Sequence, residues 1–267
     1  MESDFEAALA RVRRANEHRE TLWELAAEHL ANHPINKRFD IGEHEVRVLV
    51  SASARFPLRM SVIFSEWLHN LRSALDATLY ELAVHDTGQD PPTQAGRRQF
   101  PVVTSPEQLR GPALAGLSRQ TLDAISAMQP YHHTGGAIGS GLWWLHELAR
   151  IDRHRRHHAI AWRFVELDVD ADPGIFTQPT RICSHDLAFL REGEELELAA
   201  YTLRTGDRQH TRDHPIDVNH RIEFDIPEWV ERAHPGFRWR IDDRMRAIEW
   251  VVGASIEQFQ SMLSATE

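Results

Sequence analysis

The chain has little of what builds disulfides, zinc centres or membrane spans. Cys183 is the single cysteine among 267 residues, which excludes an intramolecular disulfide and a zinc site made of several cysteines. No apolar run approaches the roughly 20 residues that cross a bilayer. The first residues, MESDFE, are acidic and lack the apolar core of a secretory leader. We therefore expect a cytoplasmic protein with no membrane partner.

Positive charge is also scarce, because 30 Lys and Arg are set against 40 Asp and Glu, giving a net charge of -10. A broadly basic face of the kind that captures nucleic acid is therefore not expected. A local basic site is compatible with this balance. Hydrophobic residues make up 42% and charged residues 26% of the chain, which is ordinary for a globular protein with a large core.

Hydrophobic periodicity predicts an α+β fold in which a helical bundle is joined to a mostly antiparallel sheet in the C-terminal half. Helices are predicted near 4–31, 65–84, 118–128, 142–158 and 244–263. Strands are predicted at 44–52, 58–64, 160–167, 176–183, 195–203 and 221–226. We expect a mainly helical domain over 1–159. Residues 160–267 form a strand-rich segment with a closing helix, packed as one unit with the first domain.

The helix predicted near 65–84 carries a polar stripe opposite a broad apolar face. The stripe consists of Glu66, His69, Ser73, Asp76 and Tyr80, and Arg72 lies at its boundary. One interpretation is a solvated face supported by Arg72 and Asp76, which are four residues apart. The other is that the stripe faces a cleft in which His69 acts as acid, base or ligand.

The helix predicted near 142–158 places four Arg and three His in its last nine residues. If it continues to its end, Asp152 and Arg155 project toward its apolar side, where an unpaired charge is costly. They are three residues apart and can pair with each other, and Asp152 can also reach Arg72 across the helix interface. The pair is either a structural lock on helix register or part of a buried Asp–Arg–His constellation with shifted protonation.

The leading functional hypothesis is a site for phosphate or another anionic ligand, with RNA or a nucleotide as the expected class. Arg suits phosphate because its planar guanidinium can bind two oxygens. In this hypothesis Arg150 and Arg155 bind phosphate, His154 or His157 moves a proton, and Asp152 orients its neighbours. His69 and Arg72 are the candidates from the first motif helix, and no cofactor is predicted.

Two alternatives stay open at this point. The first is a metal-assisted enzyme acting on a small molecule, in which a divalent or transition metal would be held by Glu66, His69 and His146. Against it, the sequence has no HExxH motif and no pair of Glu-x-x-His motifs, and the surrounding arginines disfavour a cation. The second is a non-enzymatic interaction protein with a buried ion-pair network. A homodimer formed through the helices is a separate hypothesis that does not depend on which function is correct.

Four short segments together resemble a bacterial family of hypothetical proteins. They are LHNLRSALD at 68–76, FP at 100–101, QPY at 129–131 and IDRHR at 151–155. The resemblance covers roughly residues 55–160 and implies no specific activity. The family's string RSALDH is also similar to the Arg-x4–6-His signature of HEPN helical ribonucleases and nucleotide-binding domains. This chain has Ala77 at the histidine position, although Arg150 and His157 restore the spacing on the second motif helix.

Overall fold

The structure is a computed structural model that describes residues 2–154, 157–183, 188–204 and 216–265. Its helices are α1 (Glu2–Asn32), α2 (Leu58–Thr87), α3 (Arg119–Ala127), α4 (Gly141–His154), α5 (Pro227–Arg232) and α6 (Ile241–Ser264). Its strands are β1 (Asn36–Ile41), β2 (Glu45–Ser51), β3 (Ala161–Asp170), β4 (Phe176–Ile182), β5 (Phe189–Leu190), β6 (Glu195–Leu203) and β7 (Asp217–Asp225). The α+β prediction is confirmed.

The chain divides into two compact units that are each discontinuous in sequence. The helical unit comprises Met1–Leu22, Ser61–His158 and Ala233–Glu267, and the strand-rich unit comprises Trp23–Met60 and Ala159–Arg232. Two of the four crossings between the units fall inside the continuous helices α1 and α2. The predicted division into a mainly helical domain over 1–159 and a strand-rich segment over 160–267 stays a prediction.

The strand-rich unit contains two antiparallel sheets, whereas the sequence predicted one mostly antiparallel sheet in the C-terminal half. One has the order β1-β2-β6-β4 and the other the order β5-β3-β7. In β2, Val46, Val48 and Val50 are almost fully buried while the residues between them are not, which is the period-two pattern of a sheet with one face on a core. Strand β1 was not predicted, because its sequence NKRFDI is too charged to resemble a strand.

The predicted strand at 58–64 is wrong, because α2 already begins at Leu58. Val62 and Ile63 favour extended structure locally. However, Met60, Ile63, Phe64, Trp67, Leu68 and Leu71 recur at spacings of three and four, and all are at most 7% exposed. Burying this stripe in the helical unit outweighs the local strand preference. Within the described ranges, no helix is long and apolar enough to cross a membrane.

The second motif helix ends earlier than predicted. α4 stops at His154, and residues 157–160 are not helical. His158 instead folds back on the helix, where its Nε2 donates to the Leu148 carbonyl over 3.0 Å and its ring meets Phe64 edge-on. Only 2% of His158 is exposed. His157 therefore lies beyond the described helix rather than on its polar side.

A buried charged network joins three helices of the helical unit. Arg19 Nε on α1 donates to both carboxylate oxygens of Glu249 on α6, each over 3.1 Å. Trp67 Nε1 on α2 donates to the same carboxylate over 2.9 Å. Arg19 and Glu249 are both less than 10% exposed. The buried hydrogen bonds of this network therefore fix the packing of α1, α2 and α6.

Candidate functional site

The polar stripe of α2 and the polar side of α4 meet within the helical unit. The residues involved are His69, Arg72 and Asp76 from α2 and His146 and Arg153 from α4, which we call the α2–α4 cluster. Arg72 is 6% exposed and Asp76 and His146 are half-buried, whereas His69 and Arg153 are exposed. The cluster thus runs from a buried guanidinium to the surface.

Arg72 and Asp76 together clamp the backbone of one residue, Phe100, at both its N–H and its carbonyl. The guanidinium is 3.1 Å from the carboxylate and donates through Nη2 to the Phe100 carbonyl, while the Phe100 N–H donates to Asp76 Oδ1 over 2.8 Å. The predicted pairing of Arg72 with Asp76 along the helix is confirmed. Their joint hold on Phe100 was not predicted, because it links residues that are 24 or more positions apart.

A second clamp holds the same loop. Gln129, which is 2% exposed, accepts from the Val103 N–H over 2.9 Å and donates to the carbonyls of Pro101 and Ile125 over 3.0 and 3.1 Å. Three of the four motifs therefore converge on the segment 100–103. Their polar side chains serve at least in part to fix a loop that has no regular secondary structure of its own.

The electrostatics of the cluster follow from burying several cations around one carboxylate. Burial, and then the charge of Arg153, lowers the pKa of Arg72. Burial, and then the charge of Arg72, lowers the pKa of His146, so this imidazole is neutral near pH 7. Burial raises the pKa of Asp76, opposed by Arg72, by the Phe100 N–H and by Arg153. With Asp76 ionised, Arg72 and Arg153 leave a net positive charge of one unit.

Two buried nitrogens of the cluster make no hydrogen bond to any residue that the structure describes. Among the described residues, neither Nη1 of Arg72 nor Nδ1 of His146 has a hydrogen-bond partner. Buried polar groups in folded proteins are almost always hydrogen-bonded, so such atoms mark a position where water or a ligand is expected. Arg72 Nη1 is a donor and therefore requires an acceptor.

A third group of polar residues lies at the N-terminal end of α2. Ser65 Oγ donates to Asp152 Oδ1 over 2.6 Å and lies 2.9 Å from Nδ1 of His157, which is 3.4 Å from the same carboxylate oxygen. In a Ser–His–Asp triad the two partners contact different ring nitrogens. Here both face Nδ1, so the arrangement orients His157 and does not activate Ser65. Asp152 does not contact Arg72, the interhelical partner suggested by the sequence.

The remaining predicted phosphate ligands are placed as follows. Arg150 makes two hydrogen bonds to Glu147, three residues earlier, over 2.9 and 2.7 Å. His154 is exposed at the end of α4. Arg155, and with it the proposed Asp152–Arg155 pair, lies outside the described residues. Glu147 was not anticipated as the partner of Arg150, although their spacing of three on a helix is the signal that would have found it.

The residues of the alternative metal site are dispersed among other contacts. Glu66 lies 3.6 Å from His18, and His69 Nε2 lies 3.4 Å from Ser73 Oγ. In the part of the chain that the structure describes, no group of three or more His, Cys, Asp or Glu residues is arranged to hold a metal ion. Glu66, His69 and His146 are therefore not gathered into one site.

Comparisons with known proteins add no assignment, because no protein-family model, curated protein or solved structure matches the chain. The resemblance carried by the four motifs stays a prediction. Any functional assignment rests on the geometry of the α2–α4 cluster and on its neighbours Ser65, Asp152 and His157.

Proposed function

We propose that the helical unit binds a phosphate-bearing ligand, an RNA or a nucleotide, at the α2–α4 cluster. The observation that carries this proposal is the buried Nη1 of Arg72, which has no hydrogen-bond partner among the described residues. A phosphate oxygen provides the missing acceptor, and charge-assisted bonds of this kind are among the strongest that proteins make.

The distribution of charge supports an anion in particular. With Asp76 ionised, Arg72 and Arg153 give the cluster one net positive charge although the whole chain carries -10, so an anion is attracted here. Arg153 is exposed, and its Nε donates to the Ala149 carbonyl over 3.2 Å, which directs the side chain along α4. A ligand held by Arg153 at the surface then extends inward to Arg72.

A candidate proton-transfer group, His157, lies between the N-terminal half of α2 and the C-terminal end of α4. His157 is half exposed and is oriented by Ser65 and Asp152. If the ligand is RNA, the imidazole would move a proton at the reacting phosphodiester while the arginines balance its charge. This keeps the predicted roles of His157 and Asp152. It transfers the main phosphate contacts from Arg150, which is engaged by Glu147, to Arg72 and Arg153.

Binding measurements on two neighbouring arginines test the proposal. We expect Arg153→Gln to weaken binding of a fluorescently labelled single-stranded RNA, or of ATP, by about tenfold, the effect of losing one charge-assisted bond. Arg150→Gln is the matched control, because it removes the same charge from the same helix. It should leave affinity within about twofold of the unmodified chain. Equal affinities for both variants, or no binding of either ligand, would refute the proposal.

A second candidate is a purely architectural role for the motifs, and one observation favours it. Arg72, Asp76 and Gln129 all bind the backbone of the segment 100–103, so they stabilise this loop whether or not a ligand is present. Arg153 donates only within its own helix in these contacts. A loss of binding in Arg153→Gln without a change in melting temperature therefore separates the two roles.

A further inference from the structure

The outer face of α6 carries an exposed tryptophan that the fold of one chain does not use. Trp250 is 73% exposed, the highest value for any large hydrophobic side chain in the described ranges. The residue two helical turns before it and the residue two turns after it on this face are charged and also exposed. A large aromatic group in this setting is typical of protein–protein contacts.

Gly253 lies one turn after Trp250, and no contact with the described residues requires a glycine there. A Cβ atom placed on Gly253 would meet nothing within 4 Å. Glycine in the interior of a helix is unfavourable relative to alanine. The residue therefore provides a shallow gap at the surface, next to the exposed indole, which a large side chain from outside can fill.

The exposed positions of α6 form a stripe that is complementary to itself. The stripe consists of Asp243, Arg246, Trp250, Gly253, Glu257 and Gln260, at alternating spacings of three and four, and none of these residues is buried. In an antiparallel pair of helices such positions meet in layers. Pairing about a point between residues 251 and 252 places Trp250 opposite Gly253 and Arg246 opposite Glu257, each twice.

We propose that α6 pairs antiparallel with α6 of a second copy of this chain, about a two-fold axis between residues 251 and 252. Each Trp250 fills the gap at Gly253 of the other copy. Arg246 donates through Nε to Asp242 of its own helix over 2.6 Å, and its guanidinium also faces Glu257 of the other copy at either end of the interface. Opposite charges at matching positions make the surface isologous. The axis lies close to the middle of α6, which spans Ile241–Ser264, so the two helices overlap along nearly their whole length.

Sedimentation velocity of the full chain over a range of concentrations tests the proposal. The unmodified chain is expected to form a dimer, and Trp250→Ser is expected to be monomeric. Trp239→Ser is the matched control, because Trp239 is 51% exposed but lies before α6. This variant should remain dimeric. A monomeric unmodified chain, or dimers of equal stability in the Trp250 and Trp239 variants, would overturn the proposal.

Charge reversal provides a second test, because misfolded variants would not recover the dimer when they are mixed. Arg246→Glu and Glu257→Arg should each be monomeric, because like charges then meet at both ends of the interface. An equimolar mixture of these two variants should recover the dimer, since every pair is then of opposite sign. The double variant should also be dimeric. Failure of both the mixture and the double variant to dimerise contradicts the antiparallel register.

Discussion

Replacing Gln129 by Met removes one of the two clamps on the segment 100–103 with little change in volume. The amide makes three hydrogen bonds to backbone groups at 2.9–3.1 Å and is 2% exposed. Each such bond contributes about 1 kcal/mol net, which gives a loss of about 3 kcal/mol. Partial hydration of the released groups reduces this figure, because Pro101 and Val103 are only half-buried. We expect a loss of about 2–3 kcal/mol.

Urea unfolding followed by circular dichroism measures this change, and Gln108→Met is its control. Gln108 also accepts from a backbone N–H, that of Thr104 over 3.0 Å, but it is exposed. Water replaces that bond, so we expect a loss below about 0.5 kcal/mol. A loss of less than about 1 kcal/mol in Gln129→Met, or equal losses in the two variants, would refute the inference that hydrogen bonds to buried backbone groups stabilise this loop.

Two further predictions concern buried groups elsewhere. Burial and the charge of a neighbouring histidine lower the pKa of His29, so the unfolded state binds a proton first and stability falls as pH drops below about 6.5. The variant His29→Phe should therefore show a flatter plot of melting temperature against pH, and parallel plots would contradict this. Trp67→Phe removes the indole donor to buried Glu249 and should lower the free energy of unfolding by about 2 kcal/mol in urea titration. An unchanged unfolding midpoint would argue against the bond's contribution.

Sequence patterns predicted the regular elements better than their ends. Period-three-and-four apolar stripes located α1, α2, α3, α4 and α6, and alternation located the strand β2 and most of the second half. The start of α2 was missed because β-branched residues there favour strand locally, while the core of the helical unit selects helix. The end of α4 was missed because it depends on where His158 becomes buried, which is a tertiary property.

The candidate site was predictable in its components and not in its connections. The spacing of Arg72 and Asp76 implied their pairing, and the polar stripe of α2 was recognised. Their shared contact with Phe100 could not be predicted from the sequence, because no local pattern links a helix to a loop more than 20 residues away. Ser65 was overlooked as well, since a lone serine on a helix carries no signal until its neighbour Asp152 is placed beside it.

The helical unit is discontinuous in sequence, so its segments are synthesised at different times. α6 supplies Glu249 to Arg19 and Trp67, yet it is translated only after the last segment of the strand-rich unit. At typical elongation rates, several seconds separate the appearance of α4 from that of α6 on the ribosome. During that interval the apolar faces of α1, α2 and α4 are not yet covered by α6. We therefore expect the nascent chain to expose hydrophobic surface until α6 has been synthesised.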